Sequence, residues 1–205
     1  MITIGIIVIT VIVSLMAFKD ESLFYKLAFY PYAIDSNRKE YWRFVTGGFV
    51  HGSIPHLAFN MITLYFFGDA IEGTLFTETQ YLVLYISALA LSSFPDFADN
   101  KNNRNYIACG ASGAVTAILF PLVLFQPWGI IRFNFIVPIY FIIYAVLYLV
   151  YSYYMAKRGM DNIGHRAHLW GALYGLAFTL FVHPESLRIF LNELMNAPFL
   201  HRTIL

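Results

Sequence analysis

Six apolar runs in this chain are each long enough to cross a lipid bilayer, and that alone removes most folds. They span about 2–18, 55–75, 79–95, 107–126, 133–155 and 164–183, lengths that match the roughly 17–25 residues a helix needs to traverse hydrocarbon. Hydrophobic residues make up 59% of the 205 residues and charged ones 12%, with a mean hydropathy of +0.63, a balance outside the range of soluble domains. In lipid every backbone N–H and C=O must be paired within the chain, which leaves helices or a closed barrel. Barrel strands alternate apolar and polar residues over about ten positions, and the run from Phe133 to Tyr154 does not alternate. The expected fold is an all-α membrane protein: a six-transmembrane-helix bundle over residues 1–183, with an amphipathic interfacial tail over 184–205.

The first run has no Lys or Arg between Met1 and Gly5, and no small-residue cleavage site follows Ala17, so it reads as a retained helix rather than a secretory signal. Residues 19–54 form a long first loop that mixes aromatics such as Phe24, Tyr30, Tyr41, Trp42 and Phe44 with charges such as Lys26, Arg38 and Arg43. That mixture suits the headgroup region, and the loop is expected to be interfacial. Residues 96–106 read as a polar loop. After Pro184, polar Glu185, Arg188, Asn192 and Glu193 recur at helical spacing against Leu187, Phe190, Leu191 and Leu194, the pattern of a helix lying on the membrane. A lone cysteine, Cys109, excludes an internal disulfide, and a net charge of +1 gives no reason to expect a nucleic-acid partner.

Function is sought among the polar residues inside the runs, because an ionisable group at the bilayer centre costs about 2.5–3.5 kcal/mol on insertion scales. They are His56, Asn60, Asp69, Glu72, Ser112 and His168. Four fall in the first turn or two of the second, fourth and sixth runs, and even-numbered helices of a six-span chain all enter from the same face. At 1.5 Å per residue, Ser112 is expected about 8 Å along the fourth helix and His168 about 6 Å along the sixth. A hydroxyl and an imidazole at one depth are a nucleophile and its general base, and His56 and Asn60, four apart, share one helix face beside them. Small residues permit close approach: Gly110, Ala111, Gly113 and Ala114 thin the fourth helix, and Gly171 and Gly175 form a Gly-x-x-x-Gly packing pattern in the sixth.

These residues resemble the rhomboid family of intramembrane serine proteases over nearly the whole chain. The matching pieces are Trp42-Arg43, His51, His56 and Asn60, Gly68 to Glu72, the G-x-S-G run Gly110-Ala111-Ser112-Gly113, and Ala167-His168 with Gly171 and Gly175. The resemblance implies a serine endopeptidase with a Ser112–His168 dyad, with His56, Asn60 and the Ser112 N–H holding the oxyanion. Glu72 matches a structural acid of the family, and Trp42, Arg43 and the four glycines take structural and packing roles. It implies transmembrane protein substrates cut near the membrane surface, with no cofactor and no metal. Each aimed oxyanion donor is worth about 2.7–4 kcal/mol.

The chain departs from the family's pattern in one place. The position four residues after the nucleophile, aromatic in well-known members, is Thr116 here, which leaves Trp170 or a neighbouring tyrosine to fix the His168 ring. His51 and His165 are expected at the interface with no catalytic role. Access of substrate is expected to involve movement of the fifth helix or of a loop from Ser152 to Ile163. Most of the 13 Lys and Arg lie on the active-site face, which by the positive-inside rule puts that face in the cytoplasm. The resemblance implies the opposite, the plasma membrane of a bacterium with the site facing outside, and is followed because much of that charge lies in the embedded first loop. A non-catalytic rhomboid-like protein that captures membrane segments is the alternative from another class; a metal site built from His51, His56, His165 and His168 is a third.

Overall fold

The first apolar run forms α1 (Ile2–Lys19) in the computed structural model of the chain, which describes residues 1–133, 136–158 and 164–197. The side chains that α1 buries are Thr3, Ile6, Thr10, Ser14 and Ala17, while Val8, Ile9, Ile12, Leu15 and Met16 are exposed. Small and polar residues thus face the bundle and large apolar ones face outward, the reverse of a water-soluble helix and the rule for one packed in lipid.

The first loop is a chain of short helices. Asp20 accepts hydrogen bonds from the Ser22 and Leu23 N–H groups and so starts α2 (Glu21–Leu27). Pro31 opens α3 (Pro31–Ser36), a short 3-10 turn covers Arg38–Glu40, and α4 (Arg43–Thr46) leads to a second 3-10 turn at Gly47–Phe49. Arg43 ties these pieces together. Its Nε reaches Glu40 Oε2 at 2.6 Å, its Nη1 donates to the Tyr25 and Ala28 carbonyls at 2.8 and 2.9 Å, and the guanidinium lies 4.7 Å from the Trp42 ring centroid.

Ser53 caps α5 (Ile54–Ile71), whose first turn holds Pro55. A capping box between Thr77 and Gln80 starts α6 (Glu78–Asn100). This helix runs through Pro95 into the stretch expected to be loop, because Asp96 is buried beside Arg166, whose Nη1 is 3.8 Å from Asp96 Oδ1. The fourth run is shorter than expected: α7 (Ser112–Leu119) begins at Ser112, and α8 (Pro121–Phe125) continues it past Phe120. Residues 107–111 lie ahead of the helix and are paired to the first loop through Ala108 N to Phe29 O at 3.0 Å and Gly110 N to Gly47 O at 2.9 Å.

The fifth run is also corrected at its start. Ile130–Phe133 (β1) and Val137–Tyr140 (β2) form an antiparallel hairpin, since Pro138 and the β-branched residues around it favour extended backbone over helix. Helix α9 (Phe141–Arg158) follows. The flexible loop expected from Ser152 is helical as far as Arg158, and residues 159–163 lie outside the described residues. The sixth run is α10 (His165–Val182), and α11 (Glu185–Met195) is the tail. Rather than lying apart, α11 packs on α8 and α10, with Trp128 Nε1 donating to Glu193 O at 2.7 Å. Its Leu187, Leu191 and Met195 remain exposed as one stripe.

The hub of the fold is α7. Every residue from Gly113 to Leu124 is buried, as expected of a helix that is apolar all round, and α5, α6 and α10 pack against it. Glu72, just past α5, accepts from the backbone N–H of Ile2 and of Thr3, the latter at 2.9 Å, so a carboxylate from the second long helix satisfies the first turn of α1. Glu72→Ala is expected to lower stability by about 1–2 kcal/mol, read as a lower thermal unfolding midpoint in detergent. Asp69→Ala, at an exposed position on the same helix end, is expected to leave it unchanged.

Candidate active site

Three helix starts converge. Ser53 places His56 in the first turn of α5, Gly110 and Ala111 deliver Ser112 to the first position of α7, and Gly164 precedes the turn of α10 that carries His168. Gly110 has φ +108, a conformation that L side chains rarely adopt. A Cβ there would lie 2.5 Å from His56 Cε1 and 2.8 Å from its Nε2. The His56 ring therefore rests on the peptide leading into Ser112, as close as a bare glycine allows. Ser112 is not 8 Å along a helix but at its beginning. Its N–H and those of Gly113 and Ala114 belong to the first turn, which has no carbonyl partner within the helix.

Asn60 is held by His51, a residue expected at the interface but found fully buried. Asn60 Nδ2 donates to His51 Nε2 at 3.0 Å, and the Ala111 N–H approaches the same nitrogen at 3.4 Å. Because Nε2 accepts, the ring proton sits on Nδ1, which donates to Ser14 Oγ at 3.0 Å. Ser14 Oγ in turn donates a hydrogen bond to Phe49 O at 2.9 Å. This chain leaves Asn60 one amide hydrogen for another acceptor, and it fixes the peptide before Ser112 to α1, the first loop and α5 together.

On its other side the Ser112 turn meets α10 at backbone distance. A Cβ on Gly171 would lie 2.9 Å from Gly113 C, one on Gly113 would lie 3.2 Å from Ala167 O, and one on Gly175 would lie 2.8 Å from Ala117 Cα. The residues flanking His168 thus pack against those flanking Ser112. Both Ser112 and His168 are half-buried, open to a ligand yet shielded from bulk water.

The His168 ring is framed by aromatics from α9 and from its own helix. Tyr148 stacks on it with centroids 6.2 Å apart and 27° between planes, and His165 meets it edge-on at 5.9 Å. Tyr151 in turn packs edge-on against His165 at 5.4 Å. Thr116 Oγ1 donates to Ser112 O at 2.7 Å, which leaves it to accept the Tyr148 hydroxyl at 3.1 Å. Of the two candidates for fixing His168, the tyrosine is the one in contact; Trp170 is exposed. Among the described residues no three His, Cys, Asp or Glu side chains converge to hold a metal ion.

This geometry coincides with a match to known proteins. Residues 38–185, well over half of the chain, match the rhomboid domain. The chain belongs to the rhomboid family. It is accordingly an integral membrane protein, mostly helical. It is 30% identical over 138 residues to the human presenilin-associated rhomboid-like protein of mitochondria, covering 66% of this chain and 36% of that one. The rhomboid protease GluP of Bacillus subtilis is 29% identical over 138 residues, 67% of this chain and 26% of GluP. The rhomboid protease GlpG of Haemophilus influenzae is 27% identical over 165 residues, 78% of each chain. The chain spans about a third of the length of the first of these relatives, and the rhomboid match includes Arg43, His51, His56, Asn60, Glu72, the G-x-S-G run and His168.

The structure brings together the turns bearing Ser112, His56, Asn60 and His168, with Gly110, Gly113, Gly171 and Gly175 at the close approaches. Trp42, Arg43 and Glu72 lie outside this cluster, where they hold the first loop and α1. Ser14, Tyr148 and the buried state of His51 were not singled out from sequence. A search of the spans for ionisable groups passes over hydroxyls such as Ser14, and nothing in a tyrosine-rich α9 marks one tyrosine over another. Burial pushes His51 down to about 3 from 6.5, with nearby His56 adding to the shift. The unfolded imidazole takes up its proton near pH 6.5 and the buried one only near pH 3, so the unfolded state binds more protons in between. Stability is full above about pH 6.5 and declines as pH falls toward 3, by up to about 1.4 kcal/mol per pH unit. The thermal midpoint in detergent should fall more steeply across that window in the wild type than in His51→Gln; parallel slopes would argue against a buried neutral imidazole.

Proposed function

We propose that this rhomboid-family chain is an intramembrane serine endopeptidase that hydrolyses peptide bonds of transmembrane proteins near the membrane surface. Ser112 Oγ attacks the scissile carbonyl while His168 takes the hydroxyl proton. The resulting oxyanion is held by His56, by the remaining amide hydrogen of Asn60 and by the Ser112 N–H. Collapse breaks the C–N bond as His168 returns the proton to the departing amine. Water, deprotonated by His168, then attacks the acyl-enzyme, and the proton passes back to Ser112 as the acid product leaves.

The observation that carries this reading is the seating of the Ser112 turn between the His56 ring and the glycine face of α10. It is supported by the relatives named as rhomboid proteases. Six helical segments, α1, α5, α6, α7 with α8, α9 and α10, cross the bilayer in this reading, with 184–205 as an interfacial tail. By length and composition alone Ile2–Lys19 and Glu78–Asn100 qualify as spans. The outward Phe59, Tyr65 and Phe66 of α5 and Val146, Leu147 and Val150 of α9 support lipid around the others. Ser112–Phe125 rises only about 20 Å at 1.5 Å per residue, short of the ~30 Å hydrocarbon layer. A central helix that begins below the surface leaves a dip through which hydrolytic water reaches Ser112.

Ser112→Ala and His168→Ala are each expected to abolish cleavage of a model transmembrane substrate in detergent and in liposomes while the thermal midpoint is kept. Fluorophosphonate labelling is expected to vanish in Ser112→Ala, and cleavage retained by either variant would sink the dyad. The loss of all cleavage in the wild type, with transmembrane segments still captured, would favour the non-catalytic alternative.

In this reading the membrane is the plasma membrane of a bacterium and the site faces outside, although relatives occur in mitochondria as well. Lys101→Cys, in the turn after α6, is then labelled in intact cells by a membrane-impermeant maleimide. Labelling only after lysis would reverse the orientation.

A further inference from the structure

In the cleavage reading the plane of the His168 ring decides how it meets Ser112, and a ring from α9 lies against that plane. On α7 the residue one turn past Ser112 is Thr116, too small to cover an imidazole. The covering ring comes from α9: Tyr148 lies nearly parallel to His168, with 27° between planes and 6.2 Å between centroids. A ring alone could slide, but this one is fastened at its far end. Its hydroxyl donates to Thr116 Oγ1 at 3.1 Å, and Thr116 donates to Ser112 O at 2.7 Å. Phe120, one turn further along the same helical line, packs against it at a tilt with centroids 5.6 Å apart, and Tyr144 packs at 5.5 Å. Thr116 is thus the anchor that makes room for, and ties down, a ring delivered from elsewhere.

We propose that Tyr148 is the positioning residue of the base: its ring fixes the plane of His168, and its hydrogen bond to Thr116 sets that plane relative to Ser112. The proposal rests on the Ser112–His168 reading and adds a dependence to it. Helix α9 packs on α10, α8 and the β-hairpin, so the orientation of the base depends on how α9 is seated. A displacement of α9 away from α10 withdraws the stack from His168. Substrate cleavage then requires α9 to be back in place when Ser112 attacks.

The test uses the full chain in detergent, with a fluorophosphonate as the probe of Ser112 and a transmembrane substrate for kcat and KM. Tyr148→Leu removes the ring and is expected to slow Ser112 labelling on the order of 10²-fold, the scale of an ångström of misplacement, and to lower kcat with KM unchanged. Tyr148→Phe removes the anchoring hydrogen bond, worth about 10-fold or less, and Thr116→Val removes it together with the Thr116 bond to Ser112 O. Because they break the same bond, the double variant should be no slower than the slower single one. Wild-type labelling rates in Tyr148→Leu overturn the proposal. So do fully additive effects of the Phe and Val substitutions, which decide the matter even where the Leu variant fails to fold.

A second readout does not depend on activity. With histidine 13C-labelled in the ring, the His168 resonance is identified by its loss in His168→Ala. Removal of the Tyr148 ring in Tyr148→Leu, or release of its anchor in Thr116→Val, should shift that resonance; an unmoved line in both overturns the stack. Absence of Ser112-dependent labelling in the wild type defeats the protease reading instead, while the resonance still reports whether Tyr148 holds His168.

Discussion

The contact on which everything else depends is the backbone-to-backbone crossing of α7 and α10. Gly171 faces the Gly113 peptide and Gly175 faces Ala117, with no room at either place for a Cβ. Without a hydrophobic driving force between helices in lipid, association comes from such close packing. This crossing sets the axis distance between the helix that begins with Ser112 and the one that carries His168. It also leaves α7 enclosed on all sides, so the short helix that begins with Ser112 is a rigid reference for the others.

Around that reference, polar groups are used sparingly, and three of them tie separate segments together. His51 is the clearest example, a buried imidazole that joins Ser14 of α1, Asn60 of α5 and the peptide before Ser112. The tautomer follows from its partners. In a low-dielectric interior an unpaired polar group is costly, whereas a fully satisfied chain specifies one arrangement. Arg43 does the same for the first loop, where one guanidinium holds two carbonyls and a carboxylate. Glu72 does it for the start of α1. These groups lie away from the Ser112–His168 pair, yet they decide where its supporting loops can sit.

The outer shell is organised on the opposite principle. Helices α1, α5 and α9 present Ile, Val, Leu, Phe and Tyr outward, and α1 turns mainly Thr, Ser and Ala inward. Tyr148 stands out on α9 because it faces inward and reaches the site. A helix otherwise dressed for lipid thereby reaches the His168 ring, whose surroundings come from two helices rather than one.

Much of this was legible in the residues. The apolar runs overlap α1, α5, α6, α7 with α8, α9 and α10, because the length and charge content of a run are local quantities. The second and sixth runs, about 55–75 and 164–183, begin within a residue of α5 and α10, so the helix starts bearing His56 and His168 were legible. What sequence misjudged was non-local. The fourth helix starts at Ser112 only because Gly110 turns the chain while the first loop pairs with Ala108 and Gly110. The fifth begins as a hairpin around Pro138, and the polar stretch after Pro95 stays helical beside Arg166. Asn60 and His56 could be placed on one helix face by their spacing, but that Asn60 is aimed by a buried His51 depends on a contact across nine residues and a second helix. The order of the chain determined a membrane-embedded helical protein with a serine and a histidine at matching helix starts. Only the tertiary structure decided which tyrosine covers that histidine, because a stacking partner is chosen by where α9 packs, and periodicity within α9 carries no record of its neighbour.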